Sequence, residues 1–388
     1  MPIGTLKNTL YGVAMPFLGK RCQWKNIQGG SKETNAALRK ILRKSHVVGA
    51  AVQCFKAGKL TDGYSAGYAA LEEPREAVTE NTIFRTASLA KMVTALLVFR
   101  LQTLGKVDVC EDISTYLGYE VRNPNCKKAP ITLGMLLGHT SSIVDSPAYF
   151  ASFEKPRDLQ ELLQDPASYQ NMIPGIRFRY SNMAAGMIAC LLENHLGESF
   201  ESLMQRELFE PLQIEATFDL SKLAGKSVAS SYGVLPSALR YDARKRLAEA
   251  VSIAEPNPAR HYLLASGNLL LTAKALAQLG IAACTGADGF IDEHSLSQMK
   301  TPTSDWPEEA VRMRHGMGIL QVNDSRISKV PLWGHQGFAY GAVNGIFFDA
   351  DGNGFAMLNS GASEQRYGHL AGLNRELISL LINQDKQA

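Results

Sequence analysis

From Ala87 to Leu97 the chain runs Ala-Ser-Leu-Ala-Lys-Met-Val-Thr-Ala-Leu-Leu, small or apolar throughout except for one lysine. Such a run reads as the start of a buried helix. Positions i and i+3 share a helical face, so Lys91 stands one turn from Ser88. Burial disfavours a charged ammonium and lowers its pKa, which equips a lysine to act as a general base toward a hydroxyl. The plain alternative is a serine N-cap with a solvated lysine. The apolar surroundings speak against it, because they leave this ammonium little solvent to reach. Ser-x-x-Lys also occurs at Ser152/Lys155 and Ser297/Lys300. Lys155 lies in a polar stretch broken by Pro156, and Lys300 ends a helix-like segment where a cation complements the C-terminus.

Two further short motifs follow in order. Tyr180-Ser181-Asn182 comes after a Pro174-Gly175 turn signal and opens the small-residue run Met183 to Ala189. The tyrosine thus sits on a loop before a packed helix, where rigid scaffolds present functional groups. The rival Tyr169-Gln170-Asn171 lies in a polar stretch without such support. His335-Gln336-Gly337 opens a glycine-punctuated, strand-like segment to Phe348, and glycine in a strand often marks the close approach of another backbone or a ligand. The competing His195-Leu196-Gly197 reads as a helix end with a glycine stop.

Taken together, Ser88-Leu89-Ala90-Lys91, Tyr180-Ser181-Asn182 and His335-Gln336-Gly337 resemble the motif set of the serine β-lactamase and penicillin-binding-protein superfamily. The Tyr-x-Asn form is similar to the branch of class C β-lactamases, D-alanyl-D-alanine carboxypeptidases and related esterases. Leu136-Leu137-Gly138-His139-Thr140-Ser141-Ser142 resembles that family's Leu-Leu-x-His-Thr-Ser-Gly segment. Ala265-Ser266-Gly267-Asn268-Leu269 with Thr272-Ala273 resembles its late helix entry. The likeness covers roughly residues 33 to 383.

The resemblance implies Ser88 as nucleophile, Lys91 as its proton acceptor, and Tyr180 as proton donor to the leaving group and activator of the deacylating water. It implies Asn182 as holder of the acyl side chain and of the lysine, and backbone N–H groups of Ser88 and Phe338 as an oxyanion hole. It also implies an active site between two lobes, acylation by β-lactams and a D-configured peptide as the favoured substrate. Esterase or acyltransferase chemistry comes second, β-lactamase third, and a non-catalytic penicillin-binding sensor last. His335, Gln336 and Gly337 stand where the family carries Lys-Thr-Gly, as substrate-binding positions. A histidine there is only partly charged near neutral pH, and Gln336 replaces a small hydroxyl residue that can bond a substrate carboxylate. Efficient β-lactam turnover is disfavoured on that ground. Ser142 stands where a glycine is usual.

The remaining sequence sets the frame. Residues 32–44 read as an amphipathic helix, and 47–55 and 60–68 as a hairpin of strands. Helices are expected at 88–104, 132–138, 159–163, 182–196, 200–207 and 272–284, followed by a hairpin at 341–359 and a last helix over 367–383. Strands at both ends with helices between predict an α/β (α+β) fold, one antiparallel sheet assembled from the two termini and flanked by helices. On this reading residues 1–30 form an arm and 31–388 a catalytic domain. Its α/β lobe is about 31–106 and 266–388, and its helical lobe about 107–265. The stretch 228–260, with weak periodicity and several prolines, reads as a long loop over the site.

A net charge of +3 excludes an argument for nucleic acid or an acidic membrane surface. Six scattered cysteines show no metal-ligand spacing, so no metal or organic cofactor is implied; Cys54 and Cys190 read as buried thiols. The apolar run Thr9 to Leu18 is too short to span a membrane and lacks a clean cleavage site. The default expectation is a cytoplasmic protein acting on a small-molecule or peptide substrate. An extracytoplasmic location stays open, and oligomeric state is not legible.

Overall fold

The two ends of the chain meet in one sheet. The computed structural model describes residues 13–15, 27–305 and 311–383. Strands β1 (Ile27–Gln28), β2 (Gly49–Lys56) and β3 (Lys59–Ala70) come from the N-terminal part. From the C-terminal part come β4 (Ser304–Asp305), β5 (Met313–His315), β6 (Leu320–Val322), β7 (Leu332–Ala339), β8 (Ala342–Phe348) and β9 (Gly354–Asn359). Their order is β1-β3-β2-β9-β8-β7-β6-β5-β4, and every pairing is antiparallel. The seam between the two chain ends is β9 on β2, from Gly354 opposite Phe55 to Asn359 opposite Ala50. This is the mixed fold expected from the sequence.

Strand alternation divides the core. On β8 and β9, Ile346, Phe348, Ala356 and Leu358 join one cluster with the central helices, while Val343, Phe347, Phe355 and Met357 join a second. The second cluster is closed by α1 (Lys32–Lys44), through Leu38 and Leu42, and by the C-terminal helix Gly372–Leu381, through Leu377 and Ile378. α1 starts where Ser31 accepts from the Thr34 N–H, a cap that supplies a partner to an otherwise orphaned donor.

The first cluster surrounds α2 (Leu89–Thr103), whose residues from Leu89 to Phe99 are all buried. A helix apolar all round has to be covered on every side. The sheet covers one side and the helices of residues 107–285 the other. Each fully buried Leu, Val, Met or Phe there contributes about 1.5–3 kcal/mol relative to exposure. Next to α2 runs α3 (Asn182–Leu196), capped by Ser181 and stopped by Gly197 at φ 71°, the left-handed conformation that glycine adopts without a Cβ penalty.

Three expectations need correction. The last helix begins at Gly372 rather than 367, because Arg366–Tyr367 pairs back on Leu370–Ala371. The stretch 228–260 is not one loop: it contains the hairpin Ser231–Val234/Ser237–Tyr241 and the short helix Ala243–Ala248. The helix beginning at Phe200 passes at Gln205 into a wider π turn that ends at Phe209. The apolar run Thr9 to Leu18 lies largely outside the described residues, but Met15 is buried in a small cluster with Val48, Tyr232 and Val234. Among the described residues no helix is long and apolar enough to cross a membrane.

Candidate active site

Ser88 occupies the N-cap position of α2 yet makes no side-chain capping bond, so its hydroxyl is not spent on the helix. The residue before it, Ala87, is held at φ 54°, a strained conformation for a non-glycine residue and one found disproportionately at functional sites. The strain is secured from both sides. Asn344 on β8 donates to the carbonyls of Arg85 and Thr86, and the Thr86 N–H donates to Leu269 O.

One turn on, the Lys91 side chain is buried. Its Nζ lies 3.3 Å from Ser88 Oγ, 2.9 Å from Asn182 Oδ1 and 2.6 Å from the Ser266 carbonyl. Behind it, a void of about 10 Å³ lined by Thr94, His139 and Gly318 is at the lower limit of the space one water needs. Burial therefore pulls the Lys91 pKa down to about 7; Asp145 opposes this and Arg85 reinforces it. A neutral amine has two N–H donors and one lone pair. The Asn182 and Ser266 oxygens are fixed acceptors for the two donors, which leaves the lone pair for the Ser88 hydroxyl.

Asn182 is held in turn by Asp145, a residue that carried no signal of its own in the sequence. Asp145 Oδ2 accepts from Asn182 Nδ2 at 2.9 Å, and Oδ1 accepts from Ser181 Oγ at 3.0 Å and from the Met183 N–H at 2.9 Å. The amide is thereby oriented with its oxygen toward Lys91. The only sequence hint was an acid just past the Leu136–Ser142 segment.

Tyr180 leads into α3, with its ring centre 5.0 Å from Lys91 Nζ. Burial pushes its hydroxyl well above the usual tyrosine pKa, while a hydrogen bond with Ser88 and the nearby charge of Arg366 pull the other way. A hydroxyl so placed is protonated at neutral pH and able to donate. Its ring packs 4.4 Å from that of His139, and the rings of His139 and His315, then of His315 and His335, follow at 5.0 and 5.9 Å. All three histidines are buried and their pKa values are lowered, chiefly by burial and further by the neighbouring cations.

The third motif lies on β7, and its alternation separates the three residues. His335 and Gly337 pair with Ile346 and Asn344 and face α2; Gln336 and Phe338 pair with Gly345 and Val343 and direct their side chains to the other face. Gly337 belongs at its position: a Cβ there would lie 2.5 Å from Thr86 O and 3.2 Å from Ser88 N. His335 does not carry the partial charge expected from the sequence. Only 2% exposed and close to Lys91, it is neutral, with Nδ1–H donating to Gln336 O at 2.8 Å.

The Gln336 side chain is not placed to bind substrate. It is engaged on the far face, donating to His369 O at 2.5 Å and accepting from the Ala371 N–H at 3.0 Å. A cation on this flank comes instead from Arg366, whose guanidinium stands 3.9 Å from the Phe338 ring centre. Both Val343 backbone groups turn to Asn359, so Phe338 and Val343 form a non-hydrogen-bonded pair. The Phe338 N–H therefore faces the edge of β7 that β6 ceases to cover after Gly334. Gly337 on the same strand approaches Ser88 N, so two backbone donors, those of Ser88 and Phe338, lie on the Ser88 side of β7.

The model of the Beta-lactamase family matches residues 34–378. The chain belongs to this family. Its fold superposes on the octameric penicillin-binding protein homologue from Pyrococcus abyssi with a TM-score of 0.72 at 20% identity, covering 91% of this chain and 78% of that one. EstCE1, a hydrolase with promiscuous acyltransferase activity, gives 0.72 at 19% identity, with coverage of 90% and 97%. The D-amino acid amidase from Ochrobactrum anthropi SV3 gives 0.66 at 21% identity, with 92% and 99%. At the sequence level, Protein flp of Staphylococcus aureus (strain MRSA252) is 25% identical over 181 residues, 45% of this chain. That match spans 36% of the relative's own length. A separate groove of about 620 Å³, lined by Ile83, Thr217, Lys222, Lys226 and Leu270 among others, contains none of the candidate residues of this Beta-lactamase-family site.

Proposed function

We propose that this member of the Beta-lactamase family is a serine hydrolase that cleaves amide or ester bonds through an acyl-enzyme on Ser88, with a D-amino-acid-containing peptide as favoured substrate. The observation that carries the reading is the Lys91 amine, buried and supplied with two acceptors besides Ser88 Oγ. Lys91 accepts the Ser88 proton as Oγ bonds to the carbonyl carbon, and the N–H groups of Ser88 and Phe338 hold the oxyanion. Such preorganised donors supply about 3 kcal/mol each. Tyr180 gives its proton to the departing nitrogen or oxygen as that bond breaks, and the Lys91 ammonium returns one to Tyr180. Tyr180 then helps activate a water, which adds to the acyl carbon and gives its proton to Lys91, and Ser88 Oγ leaves with the proton that Lys91 returns.

The neutral His335 favours ester or acyltransfer chemistry as the second reading, because it offers no cation to a leaving-group carboxylate. A carboxylate on that side would meet Arg366 instead. β-Lactamase turnover ranks third for the same reason. The test is intact mass after brief exposure to a fluorescent penicillin and to an activated D-aminoacyl ester, beside Ser88→Ala. An adduct on the wild type alone supports the reading, and its decay rate separates hydrolase from sensor. No adduct with either reagent refutes the acyl-enzyme reading.

A further inference from the structure

One charged group beside the cleft has no task in that reaction. Arg85 lies three residues before Ser88, and its side chain is only partly exposed. Its Nε and Nη2 both donate to Asn268 Oδ1, at 3.2 and 2.8 Å. Its guanidinium carbon stands 5.1 Å from the Tyr340 ring centre. Tyr340 is half exposed at the β7–β8 turn, its ring 6.0 Å from that of Tyr241 and tilted 35° to it. These partners are all neutral, and among the described residues no carboxylate pairs with Arg85. A like charge, Arg246 on the helix Ala243–Ala248, also acts on it.

Partly buried guanidinium groups are ordinarily paired, and an arginine has five N–H donors in a planar fork suited to a carboxylate. Asn268 takes only two of these. The position along the cleft points to what would take others. Tyr340 is two residues beyond Phe338, about 7 Å along a strand. A group attached to the acyl carbon and lying along β7 toward its turn reaches the guanidinium a few bonds from the reacting carbonyl.

We propose that Arg85, with Arg246 and the Tyr241–Tyr340 pair, forms an anion subsite that takes a carboxylate carried on the acyl part of the substrate. This rests on Ser88 being the nucleophile. The preferred acyl groups are half-esters or half-amides of short dicarboxylic acids, and acyl residues with an acidic side chain. The hairpin Ser231–Tyr241 and the helix after it thereby acquire a part in specificity that the Ser88 machinery alone does not give them.

The test compares kcat/KM for para-nitrophenyl hemiglutarate and para-nitrophenyl valerate, esters of equal length that differ in the terminal carboxylate. The wild type is expected to prefer the hemiglutarate by about tenfold or more, the effect of one charge-assisted bond. Arg85→Gln abolishes the preference, Arg85→Lys keeps part of it, and Arg246→Gln weakens it. Because Arg85 also acts on Lys91, the ratio of the two substrates is read rather than either rate. Equal rates in the wild type, or a preference that survives Arg85→Gln, overturn the subsite.

Calorimetry of Ser88→Ala with glutarate and with glutaramide reads the same site without turnover. Binding of glutarate alone, lost in Arg85→Gln, upholds the subsite even where no ester is hydrolysed, and only the acyl-enzyme reading then fails. Absence of glutarate binding, or its loss in Arg366→Gln instead, overturns the proposal.

Discussion

The Asp145 carboxylate reaches Lys91 through Asn182, and it acts on the lysine in two ways. It fixes the amide that accepts from Nζ, and its negative charge holds the Lys91 pKa up against burial. Replacing it by asparagine removes the charge, so the Lys91 pKa falls further below about 7. Asp145→Asn is therefore expected to move the acid limb of kcat/KM to lower pH while lowering the plateau, because Asn182 loses its anchor. A limb that stays put or moves upward contradicts the assignment of Lys91 as base. At the other end of the site, His335→Lys would place an ammonium beside Lys91 in a position only 2% exposed. An unpaired buried charge of this kind costs about 3–5 kcal/mol, to be read as a lower urea midpoint at pH 7. Unchanged stability would show that the position is wetter than the structure has it. Ser88, Lys91 and Tyr180 were legible because their signals are local runs of residue type. Asp145 and Asn344 were not, because what they do depends on partners 36 to 259 residues away.

Among the elements, α3 was legible to the residue. Its cap, Ser181, and its stop, Gly197, are both written next to it. The last helix began late because Arg366–Ala371 is held by its own short pairing and by Gln336, a contact that no local pattern announces. The hairpin Ser231–Tyr241 escaped because its second strand is exposed at every position but Tyr241 and so has no alternation to read. Gln336 is the instructive error. The period of two on β7 already placed it opposite His335 and Gly337, but matching the motif by position set that aside. The helix packing makes its own prediction. Gly186 lies in α3 where a Cβ would be 1.7 Å from the Tyr262 carbonyl oxygen. Gly186→Ala should shift the segment that carries Ser266, at a cost of about 1–3 kcal/mol typical of overpacking, measured by denaturant titration; a neutral or stabilising result would deny that contact. Ser142, at φ 66°, explains why glycine is usual there, and its hydroxyl accepts from buried Asn123 in partial compensation.

For the molecule as a whole, the three buried histidines set a pH dependence of stability. His315 is pulled down to about 4, and His139 and His335 are lowered as well. The unfolded chain takes up these protons near the ordinary histidine pKa of about 6.5, whereas native His315 resists until about 4 and native His139 and His335 also resist below 6.5. The unfolded state thus binds more protons across that window. The histidine contribution is complete above pH 6.5 and is lost as pH falls toward 4. Lys91 acts in the same sense from pH 10.5 down to about 7. Urea midpoints should fall between pH 6.5 and 4.5, and His315→Gln should flatten that fall. A flat wild-type profile would contradict the burial of the triad.

The β9-on-β2 seam has a further consequence for how this protein comes into being. Synthesis is vectorial, and β2 emerges some 300 residues before the strand that covers its open edge. Until β9 arrives, the N-terminal hairpin presents an unpaired edge, a template for pairing with the wrong chain. Ser88 likewise waits for Gly337 and Phe338 to be made. The nascent chain carries Ser88 for roughly 250 residues before the strand that lies against it is made. The closed sheet and the approach of β7 to Ser88 are therefore acquired together, only after the strands from β7 to β9 have been made.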